Sequence, residues 1–300
     1  GSSSGGAKKE DEVDKNRKLI RKFLKSYEQL CADASQSPPP PSSSSGSISG
    51  NASDLGASGA FSEPFVPYAP FVQKLAKLAK SEEGPPLDLK TVPITLAPPP
   101  ELTQQDLALF LQAITSGYPY YADMSFQRVN LADIGTMTLC RFIHENPILT
   151  KLELIDNRIG ALGSKHLGKA IQNNVVLQSL KLDFNPLGDE GCVLLSLGLA
   201  WSTSLRSLSL QYCQIGSEGM ITFSEEVLNK NQSLTSIDLT GNEIGTEGII
   251  SIAKALPTAN PQLKSLNLSS TCPFRDCGDK GYDALDQLCS GIEEQGMDKV

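Results

Sequence analysis

One short phrase returns five times along the second half of the chain, and it limits the fold more than any other feature. Leu149-Thr-Lys-Leu152-Glu-Leu154-Ile-Asp-Asn157 is followed by Leu177-Gln-Ser-Leu180-Lys-Leu182-Asp-Phe-Asn185 and Leu205-Arg-Ser-Leu208-Ser-Leu210-Gln-Tyr-Cys213. Leu234-Thr-Ser-Ile237-Asp-Leu239-Thr-Gly-Asn242 and Leu263-Lys-Ser-Leu266-Asn-Leu268-Ser-Ser-Thr271 complete the series. Successive copies begin 28, 28, 29 and 29 residues apart. One period earlier, Tyr121, Met124 and Phe126 fill the same apolar slots as a degenerate copy. A fixed period of this length is the signature of a stacked repeat array.

The second half of each unit is helical. Ile159-Gly160, Leu187-Gly188, Ile215-Gly216 and Ile244-Gly245 align, and a second glycine follows at 163, 191, 219 and 248. Then Leu167, Leu195, Phe223 and Ile252 form one inward column, and Ile171, Leu199, Val227 and Leu256 the next. In each strand the three apolar positions of LxxLxL point inward, and the helix packs across them. A single unit cannot bury that face alone, so units must stack into a solenoid. Asn157, Asn185, Cys213 and Asn242 sit where the strand turns, placed to satisfy backbone groups of their own and adjacent copies. The glycine pairs are expected to let the backbone turn tightly into the helix.

On these residues the array, 121–290, resembles the leucine-rich-repeat family, in particular its ribonuclease-inhibitor-like subtype with 28–29-residue repeats. The resemblance implies an α/β solenoid of about six repeats, with short parallel strands on a concave face and helices on the convex one. It also implies a non-enzymatic protein-protein interaction scaffold or adaptor. Two narrower resemblances belong to the same subtype. GTPase-activating proteins of the nuclear-transport GTPase type would use a rim arginine, with Arg128 and Arg158 as candidates. Actin pointed-end-binding proteins join a helical N-terminal region to a short array of this kind.

The residues between the inward leucines define three outward columns: Asp123, Lys151, Ser179, Ser207, Ser236, Ser265; then Ser125, Glu153, Lys181, Ser209, Asp238, Asn267; then Gln127, Ile155, Asp183, Gln211, Thr240, Ser269. This surface is small, polar and mixed in charge. At its rim Phe184 and Tyr212 are neighbours in adjacent copies, and aromatic side chains are the usual anchors of an interface. The candidate partner-binding set is therefore Phe184, Tyr212, Asp183, Gln211, Lys181, Glu153 and Asp238. Trp201, the single tryptophan, aligns with Asn173 at the opposite edge.

Composition separates this array from what precedes it. Of 19 prolines, 13 lie in the first 100 residues, whereas 31 of 40 leucines lie after them. The chain opens Gly1-Ser2-Ser3-Ser4-Gly5-Gly6, and residues 1–7 read as a tag or fragment boundary. Residues 8–31 form an amphipathic basic helix with Ile20, Phe23, Leu24, Tyr27, Leu30 and Cys31 on one face. Residues 1–31 carry eight basic and five acidic side chains, so the remaining 269 are net −11 within a total of −8. The stretch Phe23-Leu-Lys-Ser-Tyr27-Glu-Gln-Leu30-Cys31 is similar to the helix preceding repeats in some centrosomal and ciliary leucine-rich-repeat proteins. That implies an address at the centrosome, basal body or cilium, while seven scattered cysteines without a framework spacing point to a reducing, cytoplasmic compartment.

Residues 32–60, rich in Pro, Ser and Gly, read as a disordered linker with too little apolar surface to offset its ordering entropy. Residues 61–120 read as a transitional segment and cap, with a short helix at 71–79, a strand at 87–96 and a helix at 102–115. Residues 291–300 are expected to be a C-terminal tail. In the last copy, Cys272-Pro-Phe-Arg-Asp-Cys277 is inserted after the strand, and two free thiols are expected there.

The chain has no apolar run of the ~20 residues a spanning helix needs. Its acidic balance argues against a nucleic-acid footprint. Its two histidines, His144 and His166, lie in predicted convex helices without a motif-spaced nucleophile or carboxylate. No P-loop, dinucleotide fingerprint or zinc-protease motif is present. The expectation is protein partners, no cofactor, no metal and no small-molecule substrate.

Overall fold

The computed structural model describes residues 4–36, 75, 77, 94–96, 104–118, 121–271 and 278–295. The elements run α1 (Ser4–Gln36), β1 (Ile94–Leu96), α2 (Gln104–Gly117), β2 (Asp123–Gln127) and α3 (Ala132–Glu145). They continue with β3 (Lys151–Ile155), α4 (Ala161–Asn173), β4 (Ser179–Lys181), α5 (Gly188–Leu199) and β5 (Ser207–Ser209). Next come α6 (Ser217–Phe223, continued by a π turn over Ser224–Leu228), β6 (Ser236–Asp238), α7 (Gly245–Ala255), β7 (Ser265–Asn267) and α8 (Gly278–Gln295).

The strands make one parallel sheet in the order β1 to β7, each pairing with the next copy. The first two outward columns are the register itself: Asp123↔Lys151↔Ser179↔Ser207↔Ser236↔Ser265 and Ser125↔Glu153↔Lys181↔Ser209↔Asp238↔Asn267. The inward leucines of β3 to β5 are at most 1% exposed, and both helical columns are equally buried. This is the α/β solenoid that the repeat demands, an open parallel sheet with the helices across its inner face.

Two ladders of amides seal the ends of the strands. After the strand, Asn185 Oδ1 accepts the backbone N–H groups of Asn157 (2.9 Å) and Ile159 (3.1 Å) in the preceding copy. Its Nδ2 donates to the carbonyls of Leu154 and Leu182, both at 2.7 Å. Asn242 does the same for Cys213, Ile215, Leu210 and Leu239. Cys213 fills the intervening slot, and its Sγ donates to the carbonyls of Leu182 and Gln211. Before the strand stands a second column absent from the sequence reading: Asn146, Asn174, Asn231 and Asn260, with Ser202 in the middle copy, all buried. Asn174 Oδ1 accepts from Val176 and Leu177, and Asn231 Oδ1 from Ser233 and Leu234.

The glycine pairs do not all act alike. Gly188 and Gly245 adopt φ of 62° and 67°, the left-handed region that favours glycine. Gly160 and Gly216 are extended, at −105° and −99°. In those two units an aspartate from the preceding helix closes the turn. Asp133 Oδ1 accepts from the N–H of Gly160 and Gly163, and Asp189 Oδ1 from those of Gly216 and Gly219. The array thus alternates two turn types, where the sequence suggested one.

The N-terminal helix is longer than expected and is docked. It runs to Gln36, so residues 32–36 of the expected linker are helical, and so are Ser4–Ala7 of the expected tag. Ile20, Phe23, Tyr27 and Cys31 are buried. Phe23 packs against Tyr118 (ring centroids 5.6 Å), and Tyr27 sits edge-on to Phe110 of α2 at 5.9 Å. The apolar stripe is therefore spent on the cap, while Lys15, Lys18, Arg21, Lys22 and Lys25 face outward. In α2, Leu107, Phe110, Leu111 and Ile114 are buried as expected, and β1 pairs with β2 to extend the sheet. The linker from residue 37 to 60, most of the 61–103 segment and the Cys272–Cys277 insertion lie outside the described residues. At the other end α8 runs to Gln295, so 291–295 are helical where a tail was expected. Gly291 is buried there and Ile292 packs on the core.

Candidate functional site

The outward residue after each strand is held in the left-handed region. Arg128, Asp156, Phe184, Tyr212, Gly241 and Ser270 form one column with φ between 51° and 72°. From Arg128 to Gly241 the backbone is pinned there, because each N–H donates to a carbonyl of the next copy. Asp156 donates to Asp183, Phe184 to Gln211, Tyr212 to Thr240 and Gly241 to Ser269, at 2.8–2.9 Å. Only a glycine or a small polar residue takes this conformation cheaply. Two aromatic residues occupy it nonetheless.

Phe184 and Tyr212 stack in parallel, with ring centroids 4.9 Å apart and planes 8° apart. That separation matches the spacing of adjacent strands, so the fold's own repeat sets the stack. Both rings are nearly half exposed, Phe184 at 49% and Tyr212 at 46%. The far side of Tyr212 lies over Gly241, where a Cβ would collide with the ring. A groove of about 640 Å³ runs from this stack toward the N-terminal copies, lined by Phe184, Tyr212, Asp156, Ile155, Arg128, Gln127 and, beside Tyr212, Gln214. Asp156 Oδ2 accepts from Arg128 Nε at 2.9 Å, and both side chains are well exposed.

The polar candidates lie on the adjoining concave surface and are tied to one another. Glu153 is a hub: its Oε1 lies 3.0 Å from Lys151 Nζ and 3.4 Å from Lys181 Nζ, and its Oε2 accepts from Ser125 Oγ at 3.0 Å. Burial works to raise the Glu153 pKa, but the Lys151 and Ser125 hydrogen bonds and the two lysine charges outweigh it and hold it low. The same hydrogen bond to Glu153 raises the Lys151 pKa, against a partial offset from burial. Asp238 Oδ2 accepts from Gln211 Nε2 and from Asn267 Nδ2. Asp183 differs from the rest of the set. It is 7% exposed, and its Oδ1 accepts from Ser209 Oγ at 2.6 Å and from the N–H of Gln211 at 3.0 Å. Its Oδ1 braces two neighbouring copies, so Asp183 is the least exposed of the set.

Sequence reasoning missed Asp156 as a partner of this site. The signal was available, because Asp156 is one period before Phe184. Trp201 is 63% exposed at the end of α5, on the opposite edge from the aromatic stack. His144 is exposed and His166 half-buried, both on convex helices. Burial pushes the thiols of Cys140 and Cys213 up to about 12, so they are packing groups at neutral pH. Among the described residues no cluster of three His, Cys, Asp or Glu side chains is assembled to hold a metal ion. Among the same residues no helix is long and apolar enough to cross a membrane.

Fold and site together define an open solenoid that offers a polar concave face with an aromatic rim. The array is built of leucine-rich repeats. A leucine-rich-repeat family model matches residues 173–196, 202–224 and 230–253, three consecutive units of the array. No curated protein matches the sequence. Among solved structures the chain is similar to the leiomodin-1 actin-binding site 2, at 20% identity over 52% of this chain and 89% of that one, with a TM-score of 0.40. It is also similar to the tropomodulin C-terminal domain of Caenorhabditis elegans, at 15% identity over 54% and 93%, with a TM-score of 0.42. The TLR13–ssRNA13 complex matches at 16% identity over 57% of this chain and 28% of that one, with a TM-score of 0.29. Likenesses of that degree assign no function.

Proposed function

We propose that the chain is a non-enzymatic interaction scaffold that receives a protein partner on the rim around Phe184 and Tyr212 and on the adjoining concave surface. One observation carries this reading: two stacked aromatic rings stand half exposed in a column whose backbone conformation disfavours them. Aromatic anchors at a rigid, water-exposed position are what protein interfaces concentrate their binding energy on. The rings need no rearrangement to be presented, which limits the ordering cost of association. Glu153, Lys181, Gln211 and Asp238 then supply a polar surround in which Glu153 and Lys181 are already ion-paired and the Asp238 carboxylate is hydrogen-bonded to the amides of Gln211 and Asn267 before the partner arrives. That favours orientation over strong attraction.

A cytoskeletal or ciliary address is the further part of this proposal. It rests on the resemblance of Phe23–Cys31 alone, and the apolar residues of that stretch are engaged in packing against α2. The test is affinity capture from native cells with the full chain and with Phe184→Ala/Tyr212→Ala. The double variant is expected to lose the principal partner while its thermal midpoint falls by only a few degrees, since a rim stack contributes about 0.5–1.5 kcal/mol. Retention of the same partner by the double variant refutes the rim as the docking surface.

A further inference from the structure

Within that docking reading, on which this inference rests, the rim groove has a chemistry of its own. The stacked column runs Gly241, Tyr212, Phe184, groove, Asp156, Arg128. One face of Tyr212 is closed by Gly241, and its other face by Phe184. The ring face left over belongs to Phe184 and borders the groove that Asp156 closes from the other side. An aromatic face is electron-rich and attracts a cation, and arginine also stacks flat upon it. A carboxylate one period away supplies the countercharge. Asp156 Oδ2 is held by Arg128, which leaves Oδ1 to accept from an incoming donor.

We propose that this groove takes an arginine side chain of the partner, its guanidinium lying on Phe184 and hydrogen-bonded to Asp156. The net charge of −8 agrees in sign. Arg128 is then the competitor already in place: it neutralises Asp156 in the free protein and must share that carboxylate in the complex. Its ion pair is 74% and 44% exposed on its two sides, so it is weakly held and easily shared.

The arginine assignment is tested on the full chain by NMR titration with N-acetyl-arginine amide, with the norleucine and glutamate analogues as controls. Saturable shifts are expected at Phe184 and Asp156 with the arginine probe and not with the norleucine probe. Phe184→Ala and Asp156→Asn are each expected to weaken binding about two- to fivefold. Arg128→Ala is expected to tighten it by a similar factor, a gain that misfolding cannot mimic. The absence of a saturable shift overturns the assignment, as does an equal response to norleucine, a preference for glutamate, or indifference to both charge variants. Should the arginine probe fail while the Phe184/Tyr212 double variant still loses its captured partner, the rim stands as a docking surface and only the arginine is refuted.

Discussion

Asn185 is fully buried and satisfies backbone groups in two successive copies, which makes Asn185→Ala the sharpest probe of what holds the array together. The side chain accepts two N–H groups, from Asn157 and Ile159, and donates to the carbonyls of Leu154 and Leu182. Alanine removes these contacts, together with a longer donation to the Asp183 carbonyl at 3.3 Å. An orphaned buried donor costs about 1–3 kcal/mol. Two such donors give roughly 2–6 kcal/mol, with the carbonyls and a small cavity added and some relaxation subtracted, so ~3–5 kcal/mol is expected. That is a large share of the ~5–15 kcal/mol by which a domain is stable.

The neighbouring copy supplies the control. Cys213 occupies the same slot and keeps its donations to Leu182 and Gln211 through sulfur. Asn185→Cys is therefore expected to cost clearly less than Asn185→Ala. The assay is urea unfolding followed by far-ultraviolet circular dichroism, with hydrogen exchange at Asn157 and Ile159 to localise the loss. A cost below about 1 kcal/mol for the alanine variant refutes the ladder's role. Equal costs for the cysteine and alanine variants refute the idea that the slot works by hydrogen bonding.

Two further perturbations read the rim and the concave face. Gly241→Ala places a Cβ against the Tyr212 ring at a φ of 72°, and is expected to cost more than the ~1–2 kcal/mol of the left-handed conformation alone. Unchanged urea stability would mean that the ring does not lie over Gly241. The Glu153 carboxyl is held below its ordinary range in the folded chain, so its contribution is present above the unfolded pKa and lost as pH falls through the folded one. The stability difference between the wild type and Glu153→Gln, measured by urea titration, is expected to favour the wild type at neutral pH and to shrink in acid. A difference that grows in acid would reverse the sign of that shift.

The strand register was legible residue by residue because a fixed period leaves only one way to align adjacent copies. Asp123, Lys151 and Ser179 fall in line in the sequence and pair in the sheet. The inward helical columns were legible for the same reason. What escaped was of two kinds. The Asn146, Asn174, Asn231 and Asn260 column shares the period, but asparagine at a helix end is ordinary locally, and only its buried bonds across copies mark it as structural. The docking of α1 escaped for another reason. Its stripe shows that one face must be covered, yet α2, which covers it, lies far along the chain, and periodicity carries no information about such a contact. At the site, Phe184 and Tyr212 were legible as neighbours. That Asp183 is buried was not, since its slot in the third outward column is the same as that of exposed residues.

Stability alone would not put phenylalanine where Phe184 stands. Its φ is 60°, and the same column takes glycine at 241. A non-glycine residue in this region bears about 1–2 kcal/mol of strain. Stacking on Tyr212 returns about 0.5–1.5 kcal/mol, so ring and strain nearly cancel. Truncation can therefore be steered. Phe184→Ala loses the stack and keeps the strain, whereas Phe184→Gly loses the stack and releases the strain, partly offset by the extra chain entropy of glycine. Glycine is expected to be the more stable of the two variants by about 1 kcal/mol, against the usual order outside the left-handed region. Both are expected to lose the partner equally, because binding needs the ring and not the backbone. Urea unfolding of the two variants, beside one capture experiment, separates these contributions. If alanine proves the more stable, the column is not strained, and the case that the aromatic pair is kept for binding loses its energetic basis.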